Sequence, residues 1–432
     1  MGRTLLKKGL AMKKIISVLT AAVMALSLAS CSVTDGINVQ KHERNAVISF
    51  SWWGNDQRSR YTLEGLEKFE EKNNITVTPR YSELAGYKDR LDVDVYSDSA
   101  CDALQIQYCW LHEYASDGHE FYDLYKLKDT IKLDNFTPEQ LKLGEVNGKL
   151  MGIPTSLNSI NFFYNSDTLK KYGFSEPKTW EDLFKLGRRL KSEGMYAVEM
   201  SEKSLWFSCA AYTEQATGKP MIDHNGRMQY TADDFKVMLE FYKQLIDNHV
   251  TPRPSEFNHM DFYNNKAAGI ACWISEAESY FSSNTGVDAD PVNICLGDPP
   301  VIDTDKKSGW YKRPMALYSI KADTGEPEKA AKLVDFLLNN DEMAALQGTE
   351  KGVPLSRSAL EVLESRDMLS DIQAVATKRM EEDKSITLMD PALENDDIRA
   401  TFFSIGDEVV YNHADTYEKG GQVCEAARKI GK

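Results

Sequence analysis

The sequence predicts an α/β protein made of two lobes, each with its own sheet and flanking helices. Three observations support this prediction. The chain has 432 residues, enough for two large structural units. From residue 46 onward, β-rich runs alternate with amphipathic helical segments, as they do in parallel α/β sheets. The same alternation begins again after Pro154, which predicts a second unit.

In the first lobe, three predicted strands alternate with two predicted helices. The strands cover 46–54, 75–81 and 103–107, and the helices begin near 63 and 87. Open parallel sheets bind ligands beyond the carboxyl ends of their strands, so the residues at these three ends should meet in one crevice. They are Trp52-Trp53, Ser82-Glu83 and Gln107-Tyr108.

The second lobe repeats the pattern with longer helices. Predicted strands cover 160–165, 196–200, 267–274 and 292–296, and predicted helices of this lobe cover 233–248, 358–369 and 371–380. A further predicted helix, 328–339, lies in the tail segment that returns to the first lobe. Another helix begins at Thr179, which can cap it with Asp182 as the acidic partner three residues later. We assign 46–154 and 315–352 to the first lobe, and 155–314 and 353–432 to the second.

The composition limits the possible partners. Acidic residues outnumber basic residues by 66 to 51, which gives a net charge of −15. A surface this acidic repels phosphate backbones, so no nucleic-acid partner is expected, and it disfavours adsorption to anionic lipid.

The N-terminal segment has the pattern of a secretory signal. Its first thirty residues carry five basic side chains and no acidic one. The apolar run at 15–28 is shorter than the ~20 residues that span a bilayer. The segment ends in Leu28-Ala29-Ser30-Cys31, which resembles a bacterial lipobox and implies a lipid on Cys31. We predict a lipoprotein signal peptide at 1–30, a flexible tether at 31–45 and a lipid-anchored protein on the extracytoplasmic face of the cell membrane. The alternative is an ordinary signal peptide cut elsewhere.

The sequence offers no motif for catalysis, a metal or a cofactor. None of the seven histidines has zinc-binding spacing, and no GxSxG, P-loop or GxGxxG motif occurs in a strand–turn–helix context. We expect no catalytic residue, no metal and no cofactor. The abundant carboxylates leave one alternative open, a surface enzyme that hydrolyses glycans with two carboxylates flanking the bond. The six cysteines after Cys31 contain no CxxC and are expected to be mostly free and buried.

Tryptophans supply the strongest hint of a ligand. Of the seven, five stand at predicted strand ends or loops: Trp52, Trp53, Trp206, Trp273 and Trp310. A flat ring matches the apolar face of a pyranose, and polar groups at the rim match its hydroxyls. Core packing is the ordinary role of any single one, but three or more in one cleft favour a sugar site.

Several segments together resemble a known family, the extracellular solute-binding proteins of family 1, which are maltose-binding-like carbohydrate receptors of bacterial ABC importers. The resemblance covers nearly all of 12–432. Besides the lipobox, its markers are Trp52-Trp53-Gly54, 147–154 (NGKLMGIP), 163–165 (FYN), 169–173 (LKKYG), 177–183 (PKTWEDL) and 262–269 (FYNNKAAG). The last run departs from the family pattern at Asn265, where Gly is usual, and at Gly269, where Met is usual.

This resemblance implies a type II periplasmic-binding-protein-like fold, with two α/β lobes, a hinge of crossing segments and a ligand cleft between the lobes. Carried over by position, it implies that the ligand is contacted by Trp53, Asn55, Asp56, Gln107, Asn158, Trp273, Glu276, Trp310, Tyr311 and Arg313. It also implies a carbohydrate ligand, ABC permease transmembrane subunits as partners and a monomer. A sensor that feeds a membrane signalling protein is a further alternative.

Overall fold

The computed structural model describes residues 46–115, 120–223, 226–277, 293–303, 309–369 and 371–430. The predicted signal peptide, the lipid attachment at Cys31 and the tether lie outside these residues. Within them, two separate sheets with flanking helices confirm the predicted two-lobe α/β fold.

Thirteen strands make up the sheets of the described part. They are β1 (Ala46–Trp53), β2 (Ile75–Ser82), β3 (Ala103–Ile106), β4 (Glu145–Val146), β5 (Lys149–Leu150), β6 (Ile153–Pro154), β7 (Leu157–Asn165), β8 (Glu199–Met200), β9 (Gly269–Trp273), β10 (Ile294–Gly297), β11 (Tyr311–Pro314), β12 (Leu317–Ile320) and β13 (Thr387–Leu388).

Fifteen α-helices pack around these strands in the same described ranges. They are α1 (Asp56–Asn73), α2 (Leu84–Tyr96), α3 (Tyr108–Tyr114), α4 (Pro138–Lys142), α5 (Ser166–Lys171), α6 (Trp180–Leu190), α7 (Glu202–Thr217), α8 (Ala232–Asp247), α9 (Met260–Tyr263), α10 (Pro327–Asn339), α11 (Asp341–Gln347), α12 (Arg357–Ser365), α13 (Ile372–Glu382), α14 (Asp396–Tyr411) and α15 (Thr416–Ile430).

The first lobe contains the sheet β2-β1-β3-β12-β6. Strands β1, β2 and β3 are parallel, as predicted, whereas β12 runs antiparallel to β3 and β6. Trp52 lies inside this lobe with no exposed surface, and its ring stacks on Phe50 at 5.0 Å and on Tyr81 at 4.8 Å between centroids. Trp52 therefore packs in the lobe interior and does not reach the crevice in which the sequence expects it. The reason is strand geometry, because neighbouring side chains point to opposite faces of a sheet and only one of Trp52 and Trp53 can point toward the ligand side.

The second lobe contains the sheet β13-β11-β7-β9-β8, and β10 also pairs with β7. Strand β7 is antiparallel to β9, β10 and β11. Two glycines on its neighbours, Gly269 and Gly297, pack directly on the ring of Tyr164, and a Cβ at either position would collide with that ring. This close packing explains why Gly269 replaces the usual, larger residue of the family run.

Three chain segments cross between the lobes side by side. The first joins β6 to β7, the second joins β11 to β12, and the third runs through 351–355. Thr155 N–H donates to the Ala316 carbonyl at 2.9 Å, Met315 N–H donates to Ser156 at 3.0 Å, and Leu355 N–H donates to Thr155 at 3.0 Å. The two lobes are therefore joined by a short hydrogen-bonded strap, as the predicted hinge requires.

The helix starts show how local sequence sets the element boundaries. Thr179 and Asp182 form the predicted capping box of α6, because each side chain accepts the backbone N–H of the other. Helix α1 begins at Asp56, seven residues before the apolar spacing predicts, since the Asn55 side chain caps it by accepting Arg58 N–H at 2.9 Å.

Helix α12 packs against the first lobe, although the sequence predicts that it belongs to the second. It packs on α10 and α11, whose other neighbours include α1 and β12 of the first lobe. The sequence had assigned everything from residue 353 to the second lobe. The exchange of a helix between lobes cannot be read from local pattern, because α12 is equally amphipathic in either place.

Two further expectations concern the cysteines and the membrane. All six cysteines after Cys31 are free, and four of them are buried, which confirms the prediction. Of the helices in the described ranges, none is both long enough and apolar enough to cross a bilayer.

Candidate functional site

A cleft of about 270 Å³ opens where the strand ends of the two lobes face each other. Its volume is close to the lower end of ordinary small-molecule sites, about 300–1,000 Å³. The first lobe lines it with Trp53, Gly54, Asn55, Gln57, Arg58, Glu83, Leu84 and Glu350, and the second lobe with Ser275 and Glu276. The site thus lies beyond the carboxyl ends of β1, β2 and β9, where the sheet topology places it.

Trp53 forms the aromatic part of the first-lobe wall. Its ring is 5% exposed and packs against Tyr87 and Trp110, each with a centroid separation of 5.5 Å. The surrounding rings hold the indole in one orientation, so only a small part of it is exposed to the cleft. Trp53 does not oppose a second indole across the cleft.

A charged network beneath the cleft joins α1 to the chain after α11. The Arg58 guanidinium donates from Nε to Oε2 of Glu350 at 2.9 Å and from Nη2 to Oε1 at 2.9 Å. Tyr61 donates its hydroxyl to the same carboxylate at 2.6 Å. Burial works against the charge of Glu350, but Arg58 and Tyr61 outweigh it and lower the pKa of this carboxyl. Glu350 is therefore held as a carboxylate.

Lys351 extends the network to the hinge. Its ammonium group has no exposed surface, donates to the Tyr318 hydroxyl at 2.8 Å, and lies 5.3 Å from that ring's centroid. Burial, followed by the nearby charge of Arg58, lowers the pKa of Lys351 to about 7. Its backbone carbonyl accepts a hydrogen bond from Ser156 in the first crossing segment. The cleft floor and the hinge are thus parts of one buried polar cluster.

Asn158 supports the second-lobe wall from behind. It is buried, donates its amide to Ser275 Oγ at 2.8 Å and accepts Ser275 N–H at 3.2 Å. These bonds fix the 3₁₀ turn Ile274–Glu276 that presents Ser275 and Glu276 to the cleft. Asn158 itself is not among the cleft-lining residues, so the predicted contact with ligand becomes a positioning role.

Trp273 and Arg313 lie next to each other, and the guanidinium of Arg313 covers the ring of Trp273. The guanidinium carbon of Arg313 lies 4.2 Å from the centroid of the Trp273 ring, and its Nε lies 3.0 Å from Glu394 Oε2. Trp273 is 7% exposed and also packs on Phe207. In this arrangement a protein cation covers the face that a sugar was expected to use.

The lobes also meet beside this pair. Cys109 on α3 of the first lobe is close enough to Glu394 and Arg313 for them to influence its pKa, which burial and then Glu394 raise to about 12. On the same helix, burial lowers the pKa of His112, and the charge of Asp390 opposes this effect. Helix α3 and the 3₁₀ turn Pro391–Glu394 therefore form a second contact region between the lobes.

Two predicted tryptophans belong to the interior of the second lobe. Trp206 is 1% exposed in the middle of α7, where its Nε1–H donates to the Leu393 carbonyl at 2.8 Å. Trp310 stacks on Trp180 at 5.9 Å and lines a separate cavity of about 360 Å³ within that lobe. Neither residue lines this cleft. Trp206 lies within a buried helix, whereas Trp310 does stand next to the start of β11 as predicted but is buried in the lobe interior.

The remaining predicted residues, Asp56, Gln107 and Tyr311, do not line the cleft. Asp56 is exposed at the start of α1, and Gln107 is buried at the start of α3. Tyr311 donates its hydroxyl to Glu214. Of the twelve predicted ligand contacts, the cleft therefore brings together Trp53, Asn55 and Glu276.

Sequence reasoning missed the residues that complete the cleft. Gln57 and Ser275 stand within two residues of predicted contacts, so proximity to those positions was an available signal. Glu83 lines the cleft at the end of β2, where the sequence places it. Nothing in the local sequence indicates that Arg58 pairs with Glu350, since the two lie 292 positions apart. Within the described ranges, no group of side chains is suited to hold a metal ion.

Comparison with known proteins identifies the family to which the protein belongs. The sequence pattern of the bacterial extracellular solute-binding proteins matches residues 65–374, and the chain belongs to this family.

Particular relatives bind oligosaccharides. The arabinooligosaccharide-binding protein of Bacillus subtilis is 31% identical over 136 residues, a match that spans only 30% of either protein. The maltodextrin-binding protein of the same organism is 24% identical over 82% of each chain. A periplasmic oligogalacturonide-binding protein of Yersinia enterocolitica, solved with saturated digalacturonic acid, is 28% identical with a TM-score of 0.82, over 89% of this chain and 98% of that one.

Proposed function

We propose that this protein is the extracytoplasmic substrate-binding lipoprotein of an ABC importer. It captures an oligosaccharide in the cleft between its lobes and delivers it to the membrane permease. The observation that carries this proposal is a cleft lined from both lobes, across a hinge of three crossing segments. A ligand that contacts both walls stabilises the closed arrangement over an open one, and this difference in affinity is what drives closure.

The lining has the mixed chemistry that a sugar requires. Trp53 offers apolar surface, and Asn55, Gln57, Ser275 and Glu276 offer amide, hydroxyl and carboxylate groups that can bond the hydroxyls of a sugar. Membership of the solute-binding family and the oligosaccharide ligands of its relatives support the same assignment.

A thermal-shift screen over neutral, amino and acidic oligosaccharides tests the ligand class. A sugar that binds only the folded protein raises the melting temperature in proportion to the logarithm of its concentration. Small-angle scattering with a positive sugar should then show a smaller radius of gyration if the lobes close. A screen in which no sugar changes the melting temperature would contradict the proposal.

Asn55→Ser tests the cleft directly. Serine keeps an oxygen that can cap α1 but removes the amide donor that can reach a ligand. Loss of one neutral hydrogen bond should weaken sugar affinity by about three- to tenfold in calorimetry. Asn340→Ser is the matched control, because Asn340 caps α11 in the same way, accepting Glu342 N–H at 3.0 Å. If both variants bind the sugar equally well, Asn55 is not a contact.

The role we propose is capture of the sugar without hydrolysis. A glycosidase needs one protonated and one ionised carboxyl on either side of the bond. Glu350 is held ionised by Arg58 and is therefore unsuited to serve as that acid. Chromatography after prolonged incubation with a bound oligosaccharide should recover it uncleaved.

Lipid attachment is tested at Cys31. The wild-type protein should carry labelled fatty acid and sediment with membranes, whereas Cys31→Ser should be unlabelled and released. Labelling of the serine variant would place the lipid elsewhere.

A further inference from the structure

We propose that the cleft recognises one end of an oligosaccharide chain and does not bind a stretch in its middle. This inference rests on the proposed function, since it names the part of the sugar that the cleft captures. The ligand cleft and a direct contact between the lobes occupy neighbouring positions along the same sheet edge. A sugar chain that fills the cleft can therefore continue past it in one direction only.

The cleft occupies only part of the edge of the first-lobe sheet. Three neighbouring strands of this sheet follow the order β2-β1-β3. The cleft lies beyond the ends of β2 and β1, where Glu83 and Trp53 line it. The next strand, β3, ends at Ile106 and leads into α3, which belongs to the second contact region between the lobes. Along this edge, the open space of the cleft thus gives way to protein.

The cleft adjoins this contact region on both lobes. In the first lobe, Trp53 lines the cleft and packs against Trp110 of α3, with 5.5 Å between centroids. In the second lobe, Ser275 lines the cleft and is hydrogen-bonded to Asn158, which pairs in register with Arg313 of β11. Both walls of the cleft therefore run directly into the contact region.

Helix α3 packs closely on the second lobe at this point. Cα atoms of α3 and of the 3₁₀ turn Pro391–Glu394 lie within 8 Å of each other. Separations of about 8–10 Å are typical of elements packed directly on one another, so a sugar ring does not fit between them. Tyr108 and His112 of α3 lie edge to face at 5.4 Å between centroids, and both are close enough to Asp390 for its charge to affect their pKa values.

The 3₁₀ turn is fixed to its own lobe. Trp206 donates its Nε1–H to the Leu393 carbonyl at 2.8 Å. Arg313 lies 3.0 Å from Glu394, and neither of these side chains is more than 6% exposed. Trp206 and Arg313, which do not line the cleft, thus hold in place the turn that closes one end of it.

The opposite end of the cleft is exposed to solvent. Glu83 and Leu84 line the cleft at the start of α2, and Leu84 is 42% exposed. Ala85 and Gly86 on the same turn are also exposed. A Cβ at Gly86 would have no atom within 4 Å beyond the neighbouring backbone of its own helix. A sugar chain that continues past Leu84 can follow this turn without displacing a packed side chain.

Calorimetry with end-capped sugars tests the inference. The probe is a linear oligosaccharide that stabilises the protein in the thermal-shift screen. It is prepared free, with a bulky aromatic group on its reducing end, and with the same group on its non-reducing end. One capped form should bind within about threefold of the free sugar and the other at least about tenfold more weakly, because a bulky group forced into a packed site causes strain. A cyclic oligosaccharide of the same units has no end and should also bind at least about tenfold more weakly.

Variants of α3 assign the effect to the contact region. Tyr108→Ala with His112→Ala removes the two rings near Asp390 and should narrow the ratio between the free and the rejected capped sugar by about fivefold. Tyr114→Ala is the matched control, because it removes a ring of the same helix whose hydroxyl bonds Asp92 within the first lobe, and it should leave the ratio unchanged. Thermal melting verifies that each variant is folded. His112→Ala alone, at a half-buried position, provides the same readout if the double variant does not fold.

The outcomes separate this inference from the proposed function. Equal binding of the free sugar and both capped forms overturns the inference and leaves sugar capture intact, as does a cyclic sugar that binds as tightly as the linear one. Loss of binding with either cap also overturns it, because the cleft would then enclose the chain at both ends. A ratio that the α3 variants leave unchanged overturns it as well. A screen without any binding sugar overturns the proposed function, and the inference with it.

Discussion

Substitution of Glu350 by glutamine should destabilise the fold strongly. The carboxylate receives three hydrogen bonds from Arg58, two of them from Nε, and one from Tyr61, and the two ion-pair side chains are only 10% and 14% exposed. Glutamine keeps the shape but leaves Arg58 without a counter-charge, next to the buried amine of Lys351. Breaking one side of a buried pair in this way costs about 3–5 kcal/mol of unfolding free energy.

Urea denaturation of wild type and Glu350→Gln measures this loss as a lower midpoint with an unchanged slope. The double variant Arg58→Met with Glu350→Gln should recover part of it, because no unpaired charge then remains. Glu181→Gln is the control: it removes a pair of 2.9 Å with Arg188 in which both side chains are at least half exposed, and it should cost less than about 1 kcal/mol. If Glu350→Gln costs no more than this control, the network does not stabilise the fold.

Three further predictions concern buried polar groups. The pKa of Lys351 is about 7 in the folded protein and 10.5 in the unfolded chain, so between pH 7 and 10.5 the unfolded chain binds more protons. The free energy of unfolding should therefore rise with pH in this range, by up to about 1.4 kcal/mol per pH unit. Lys351→Met should remove that rise in denaturation curves from pH 7 to 9, and parallel curves would argue against it. Burial, and then the charge of Asp261, raises the pKa of Glu199 from 4.5 to about 8, so its contribution to stability is full below 4.5 and is lost as pH rises to 8. Glu199→Gln should flatten the pH profile between these values, and an unchanged profile would show that another group titrates. Asn158→Ala removes two hydrogen bonds to Ser275 and should weaken sugar affinity through a looser wall, which calorimetry would detect; unchanged affinity would mean that the turn holds its shape without Asn158.

Much of the fold could be predicted from local pattern. The strand β1 and the capping box of α6 are encoded by neighbouring residues, and the structure has both where the sequence predicts them. The sequence does not predict helix α7, because buried polar residues such as Ser208 and Gln215 interrupt its apolar ones and leave no periodic stripe. Trp206, within this helix, is therefore expected at a strand end or in a loop. A helix whose polar and apolar residues do not separate onto two faces lacks the pattern on which such a prediction depends.

The sequence predicts where the candidate site lies but only some of the residues that line it. Trp53 and Asn55 follow directly from the end of β1, because strand ends meet at one edge of a parallel sheet. Trp273 and Trp310 could not be assigned in the same way, since an indole at a strand end can face a cleft or the interior with equal local sequence. The neighbours that decide this, Arg313 for one and Trp180 for the other, lie far along the chain.

The sequence by itself determined the α/β class, the two lobes, the family and the edge of the sheets at which a ligand would bind, because these depend on periodicity and short motifs. Only the tertiary structure decided which charges line the cleft and which are already paired. Arg58 and Glu350 are 292 positions apart, and nothing in either segment indicates the other. The electrostatics of a cleft arise from contacts between distant segments, and such contacts exist only once the chain has folded.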